Sequence, residues 1–122
     1  MFVLDTNIVI AYFAEEKEVV DTLEKALADG LAVILPTIVK AETLSYPSID
    51  ATTLARMREW FNNTEQAVLD SQIAERAAEI RRETGLKLID SIVAATTFLL
   101  NATLVSRDQD FKHIHNLQVM IW

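Results

Sequence analysis

Four carboxylates, Asp5, Glu42, Asp90 and Asp108, lie far apart in this chain yet stand where one sheet edge can gather them. Asp5 directly ends the apolar run Phe2-Val3-Leu4, which reads as a buried strand. Asp108 comes just after a similar run, Thr103-Leu104-Val105-Ser106. Glu42 falls roughly two turns into the helix after the strand Ala32-Val33-Ile34-Leu35, beside an apolar stripe, where a buried acid needs a partner or a cation. Asp90 opens the apolar segment Ile92 to Leu100. In parallel α/β sheets ligands bind beyond the carboxyl ends of the strands, and the helix after each strand starts on that rim. Carboxylates held together there repel one another and raise each other's pKa values, and a divalent cation relieves the repulsion. An all-oxygen donor set favours Mg²⁺, with Mn²⁺ as substitute, over Zn²⁺. Such an ion polarises phosphoryl oxygen and turns water into a hydroxide-like nucleophile, so the expected chemistry is phosphodiester hydrolysis. Carboxylates sharing one cation are expected within about 4–7 Å of one another. Singly, each acid has a plainer role: Asp5 and Asp90 as helix caps, Asp108 as a turn residue. The joint placement carries the expectation.

Composition bounds the alternatives. The 122 residues suit one domain, 1–122, and carry 11 Lys+Arg against 18 Asp+Glu, a formal charge of −7. That balance argues against holding nucleic acid by bulk charge attraction, but not against an enzyme that recruits a cation locally. The absence of Cys excludes disulfides, thiolate metal sites and a Cys nucleophile, and two His are too few for an all-His zinc site. The 51% hydrophobic share, with two Gly and two Pro, excludes a disordered chain. No apolar run approaches the roughly 20 residues of a membrane span, and Asp5 falls where a signal peptide would be apolar. A soluble, cytoplasmic protein is expected.

The elements that must position the acids alternate. Helices are expected from Asp5 or Thr6, from Glu16 to Asp29 before Gly30, and from Thr37 to Ser45 with Pro36 in its first turn. Another is expected after Ser48 or Asp50, running to Asn62-Asn63. A further helix starts at Asp70 or Ser71 and closes at Gly85, and a central buried one follows Asp90. Gln66-Ala67-Val68-Leu69 and Leu117 to Trp122 complete the strands. The expectation is a three-layer α/β/α fold around a small, mainly parallel sheet.

These residues resemble a known family. Phe2-Val3-Leu4-Asp5-Thr6-Asn7 is similar to the start of PIN-domain ribonucleases. Pro36 to Glu42 resembles their second motif, Leu88 to Thr96 the third, and Thr103 to Phe111 the fourth. Length and bare architecture most resemble VapC-type toxins of toxin–antitoxin pairs. The resemblance implies a metal-dependent endoribonuclease, a homodimer, and a small antitoxin partner. It carries Asp5, Glu42 and Asp90 over as Mg²⁺-binding acids and gives the fourth place to Asp108, with Asp110 as substitute. Asn7 and Ser106 match accessory polar positions that orient acids or water, and Thr6 can act through the start of its helix.

The other candidates have plainer readings. His113, His115 and Lys112 read as a solvated turn or edge strand, Arg81 and Arg82 as complements to a helix dipole, and Glu15 and Glu16 as a solvated helix face. Met57, Trp60, Phe61 and Trp122 are more apolar surface than a small domain easily buries, which predicts a homodimer. An antitoxin is expected to present Arg or Lys to the acids. Three rival functions stand beside RNA cleavage. One is cleavage of DNA or structured RNA precursors at the same site, and another is a PIN-like RNA- or protein-binding module without turnover. The third, an aspartyl-phosphate phosphotransferase, is disfavoured because Asn7 stands where its second aspartate belongs and no lysine motif is evident.

Overall fold

The computed structural model describes residues 1–122. Its centre is a sheet of five parallel strands: β1 (Phe2–Leu4), β2 (Val33–Pro36), β3 (Glu65–Ala67), β4 (Thr103–Ser106) and β5 (Val119–Ile121). Their spatial order is β3-β2-β1-β4-β5. The helices are α1 (Thr6–Phe13), α2 (Lys17–Ala28), α3 (Thr37–Leu44), α4 (Ala51–Asn62), α5 (Ser71–Thr84) and α6 (Leu88–Leu99). The chain winds outward from β1 to β3, then returns past β1 to β4. Right-handed crossovers in these opposite directions put helices on both faces, giving the α/β/α layering. The return makes β1 and β4 neighbours at a topological switch point, where the crevice of such a sheet opens.

Local chemistry explains the elements. The central strands are apolar because they are covered on both faces: Val3, Leu4, Leu35, Leu104 and Val105 are wholly inaccessible. Asp50 caps α4 by accepting from the Thr53 amide at 2.7 Å, and Asp70 caps α5 by accepting from the Ile73 amide at 2.9 Å. Gly85 ends α5 at φ 72°, the left-handed conformation that a Cβ disfavours. Ser91 to Thr97 of α6 are all buried. The hydroxyls of Ser91, Thr96 and Thr97 survive there because each donates to the carbonyl four residues earlier.

Several expectations need correction. Pro36 ends β2 and takes the N-cap position of α3 instead of its first turn; its fixed φ suits the extended backbone there. β3 lies a residue or two earlier than the apolar run Gln66 to Leu69 suggests, leaving Val68 68% exposed. Edge pairing with Ile34 to Pro36, not hydrophobicity, sets its extent. Met57 and Phe61 lie in the core, so they offer no surface to a second subunit. Glu16 is not simply solvated: it pairs with Arg107 across the fold. No helix is long and apolar enough to cross a membrane.

Candidate active site

Strand register builds the site. Leu4 pairs with Val105, so the next residues, Asp5 and Ser106, leave the sheet side by side. The Asp5 amide donates to the Val105 carbonyl at 3.0 Å and locks that register. Asp5 is 5% exposed and caps α1, one carboxylate oxygen accepting from the Thr6 amide at 2.8 Å. Its other oxygen accepts from the Ser106 hydroxyl at 2.6 Å. Ser106 Oγ in turn accepts from the Asp108 amide at 3.0 Å and from Asn7 Nδ2 at 3.4 Å. Asn7 Oδ1 takes the Arg107 amide at 3.2 Å, and the Arg107 guanidinium bonds Glu16 at the start of α2. Ser106 is thus the hub through which β4, α1 and the acids hold one another. Thr6 gives Asp5 its amide, while its own buried Oγ1 has no protein partner.

Glu42 reaches the same rim from α3, about a turn and a half from the start of that helix at Thr37. Asp90 sits in the first turn of α6, but it is not the cap; Lys87 holds that position and makes no side-chain capping bond. The cap reading of Asp90 therefore fails, and its half-buried carboxyl faces the groove.

That groove has two lobes. One, of about 600 Å³, is lined by Asp5, Thr6, Asn7, Glu42, Tyr46, Lys87, Leu88, Ile89, Asp90 and Asp108. The other, of about 430 Å³, is lined by Thr84, Gly85, Leu86, Lys87, Asp90, Asp108, Asp110 and His113. Lys87, Asp90 and Asp108 are common to both and mark the waist. The structure therefore gathers all four sequence-nominated acids, with Asp108 beside Asp5 and Glu42 and Asp110 only in the second lobe. Arg81 and Arg82 are absent from both linings, and so is His115. Lys87, Tyr46 and Thr84 had no signal of their own in the sequence, and His113, read as a solvated turn, lines the second lobe.

Electrostatics show the strain of this arrangement. Burial pushes the Asp5 carboxyl up, the Ser106 and Thr6 hydrogen bonds oppose it, and Glu42 and Asp108 push further up. Asp90 is pushed up to about 6, first by burial, then by Asp5, Asp108 and Glu42, with Lys87 opposing. Lys87 is the only lysine or arginine lining either lobe. An uncompensated all-oxygen set of this kind fits a hard dication. No three acidic side chains converge enough, as they stand, to cage one ion. The fit is thus to a cation that keeps much of its water, as Mg²⁺ does when one or two carboxylates hold it.

A pH dependence follows. Because the native state raises the Asp90 pKa above the ordinary 3.8, it favours the protonated acid. The associated stability is fully present below about pH 4 and is lost as pH rises through about 6. For a half-exposed carboxyl, solvent screening reduces the effect to about 1 kcal/mol. Chelated wild type should therefore gain melting temperature relative to Asp90→Asn as pH falls from about 7.5 to about 5.5. Parallel pH profiles for the two proteins would show that neither burial nor the neighbouring acids raise the Asp90 pKa.

Comparison with known proteins agrees with this fold. A search of curated proteins gives no match. Among solved structures, the chain is similar to one in a toxin–antitoxin complex from Klebsiella pneumoniae, at 27% identity and TM-score 0.82, covering 98% of this chain and 96% of that one. It shares the fold of a chain in VapBC2 from Rickettsia felis bound to a promoter DNA fragment, at 22% identity, TM-score 0.85 and 99% and 98% coverage. The same holds for DNA-bound VapBC from Salmonella typhimurium, at 19% identity, TM-score 0.85 and 99% and 97% coverage. The PIN domain family matches residues 2–117, nearly the whole of the chain, and this protein belongs to that family.

Proposed function

We propose that the protein is a Mg²⁺-dependent endoribonuclease, acting in the cytoplasm as the VapC-type toxin of a toxin–antitoxin pair. The observation that carries this reading is the convergence of Asp5, Glu42, Asp90 and Asp108 on one groove at the switch point of the sheet. Of Asp5, Glu42, Asp90 and Asp108, one or two would hold the cation directly and the others through the water it keeps, and the cation when bound supplies a Lewis acid and an activated water for attack on phosphorus. The chain's own part is to fix those acids. Ser106 and the Thr6 amide aim the two oxygens of Asp5, and Asn7 holds Ser106 and Arg107 in register. Asp90, charged above about pH 6, is available as a ligand or a proton acceptor at neutral pH.

Structural likeness to chains of toxin–antitoxin complexes supports an antitoxin partner. An Arg or Lys from that partner would bond the acids and displace the cation. A homodimer is part of the same reading. Exposed apolar groups such as Val68 and Leu69 support it, whereas Met57 and Phe61 lie in the core. A sedimentation mass near the chain's 13.7 kDa at micromolar concentration, without antitoxin, would count against it.

The test is cleavage of RNA by purified protein. Activity should appear with millimolar Mg²⁺ or Mn²⁺, vanish with a chelator and return when the metal is restored. Activity indifferent to chelation would remove the metal from the mechanism. Tight RNA or protein binding with no cleavage in either metal would favour a module without turnover.

A further inference from the structure

The groove's two lobes differ in chemistry. The lobe holding Asp5 and Glu42 has an apolar side made by Tyr46, Leu88 and Ile89. The other has Leu86 as its only hydrophobic residue. Tyr46 is 46% exposed and Leu88 54%, although Leu88 begins a helix that is otherwise largely buried. Tyr46 follows the C-cap of α3, four residues beyond Glu42, and its backbone is held in place. The Ser45 hydroxyl donates to the Glu42 carbonyl at 2.7 Å, the Ile49 amide donates to the Tyr46 carbonyl at 3.4 Å, and Pro47 restricts Tyr46 to extended conformations. Tyr12, Phe13, Trp60 and Phe61 pack ring to ring elsewhere, whereas Tyr46 pairs with no other ring. The exposed part of its side chain is therefore not taken up by a ring stack.

Charge narrows what that partner is. With a net charge of −7 and Lys87 as the single lysine or arginine at the groove, phosphate attraction is too weak to hold a strand. Stacking of bases on aromatic rings supplies affinity independent of charge. We propose that Tyr46 and Leu88 clamp one unpaired nucleobase beside the acids, while Lys87 at the waist holds the adjoining phosphate. This rests on the reading of the site as RNA-cleaving. The polar lobe beyond the waist, with Thr84 and His113, takes the ribose–phosphate chain without gripping a base. The protein thus grips a base, whatever its identity, on one side of the cut only, and its substrate is single-stranded there, because a base paired in a duplex cannot leave the stack to reach Tyr46 at no cost.

The probe is a fluorescent, unstructured hexanucleotide RNA, bound in Ca²⁺ and cut separately in Mg²⁺, with an abasic residue walked along it. Wild type should lose about tenfold in affinity when one position is abasic and change little at the others. Tyr46→Ala should bind the intact RNA about tenfold more weakly and feel no further loss from the abasic residue. Tyr46→Phe, which keeps the ring, should behave as wild type, and the corresponding duplex should bind worse than the single strand. The same abasic loss in Tyr46→Ala as in wild type overturns the clamp, as does equal loss at every position or equal binding of duplex. Cleavage that ignores Tyr46 removes the clamp and leaves the nuclease reading standing. Ring-dependent binding without cleavage does the reverse, and no RNA binding at all removes both.

Discussion

Asp90→Asn is expected to lower RNA cleavage about a hundredfold or more while leaving the metal-free fold as stable as wild type or more so. The two effects have one cause. At neutral pH the Asp90 carboxylate is charged although half-buried, and stands against Asp5, Asp108 and Glu42 with only Lys87 opposing. Asn keeps the shape and one acceptor oxygen but removes the charge. Relief of close like charges at an effective dielectric near 20 is worth about 0.5–2 kcal/mol. No capping loss offsets this gain, because the cap position of α6 belongs to Lys87. Mg²⁺ should raise the melting temperature of wild type more than that of the variant, since binding to the native state alone stabilises it by mass action. A melting series with chelator and with millimolar Mg²⁺ checks this beside a cleavage assay. A variant much less stable without metal, shifted by Mg²⁺ as far as wild type, would make Asp90 a structural residue.

Ser106→Ala should be the most destabilising conservative change at the site. The hydroxyl is wholly inaccessible, and its loss strands an Asp5 oxygen, the Asp108 amide and Asn7 Nδ2 together. A hydrogen bond to a buried charged group is worth about 1.5–3 kcal/mol, so a loss near 3 kcal/mol and a melting temperature lower by about 10 °C are expected. Without the Ser106 donor, burial and the neighbouring acids act on Asp5 less opposed, so its pKa should rise further. The acidic limb of the pH–rate profile should move to higher pH. Ser106→Thr keeps the donor and should recover most of both properties. Calorimetry and a pH–rate series would decide it; an alanine variant that melts with wild type and keeps its pH profile would show that Asp5 is oriented by other groups.

The acids were legible in the sequence because their positions follow from topology. An apolar run ending in Asp5, and another followed shortly by Asp108, place carboxylates at strand ends whatever the details of packing. The helix of Asp90 was equally legible from its length of apolar residues, but its start was not. The sequence pattern starts this helix after Asp90, whereas the backbone starts it at Leu88, behind Lys87 in the cap position. β3 was misplaced because edge pairing with β2 set its limits, while the apolar pattern continued through Val68 and Leu69. Ser106 was legible as a polar residue near the acids, though its triple bonding depends on a register between strands a hundred residues apart. Tyr46 and Lys87 left no mark, because exposure at a groove is a property of neighbours that local sequence does not encode.

The pairing of β1 with β4 also governs when the site can exist. Asp5 and Ser106 are 101 residues apart, and nothing in the first half of the chain substitutes for that bond. Closing so long a loop, and in parallel register, is among the slower steps available to a small domain. A chain emerging from the ribosome therefore exposes Asp5 first and its partners last, and no fragment ending before Asp108 contains all four acids. Synthesis of the protein is in effect a delay line: the groove closes only once the chain has been made through Ser106 and Asp108.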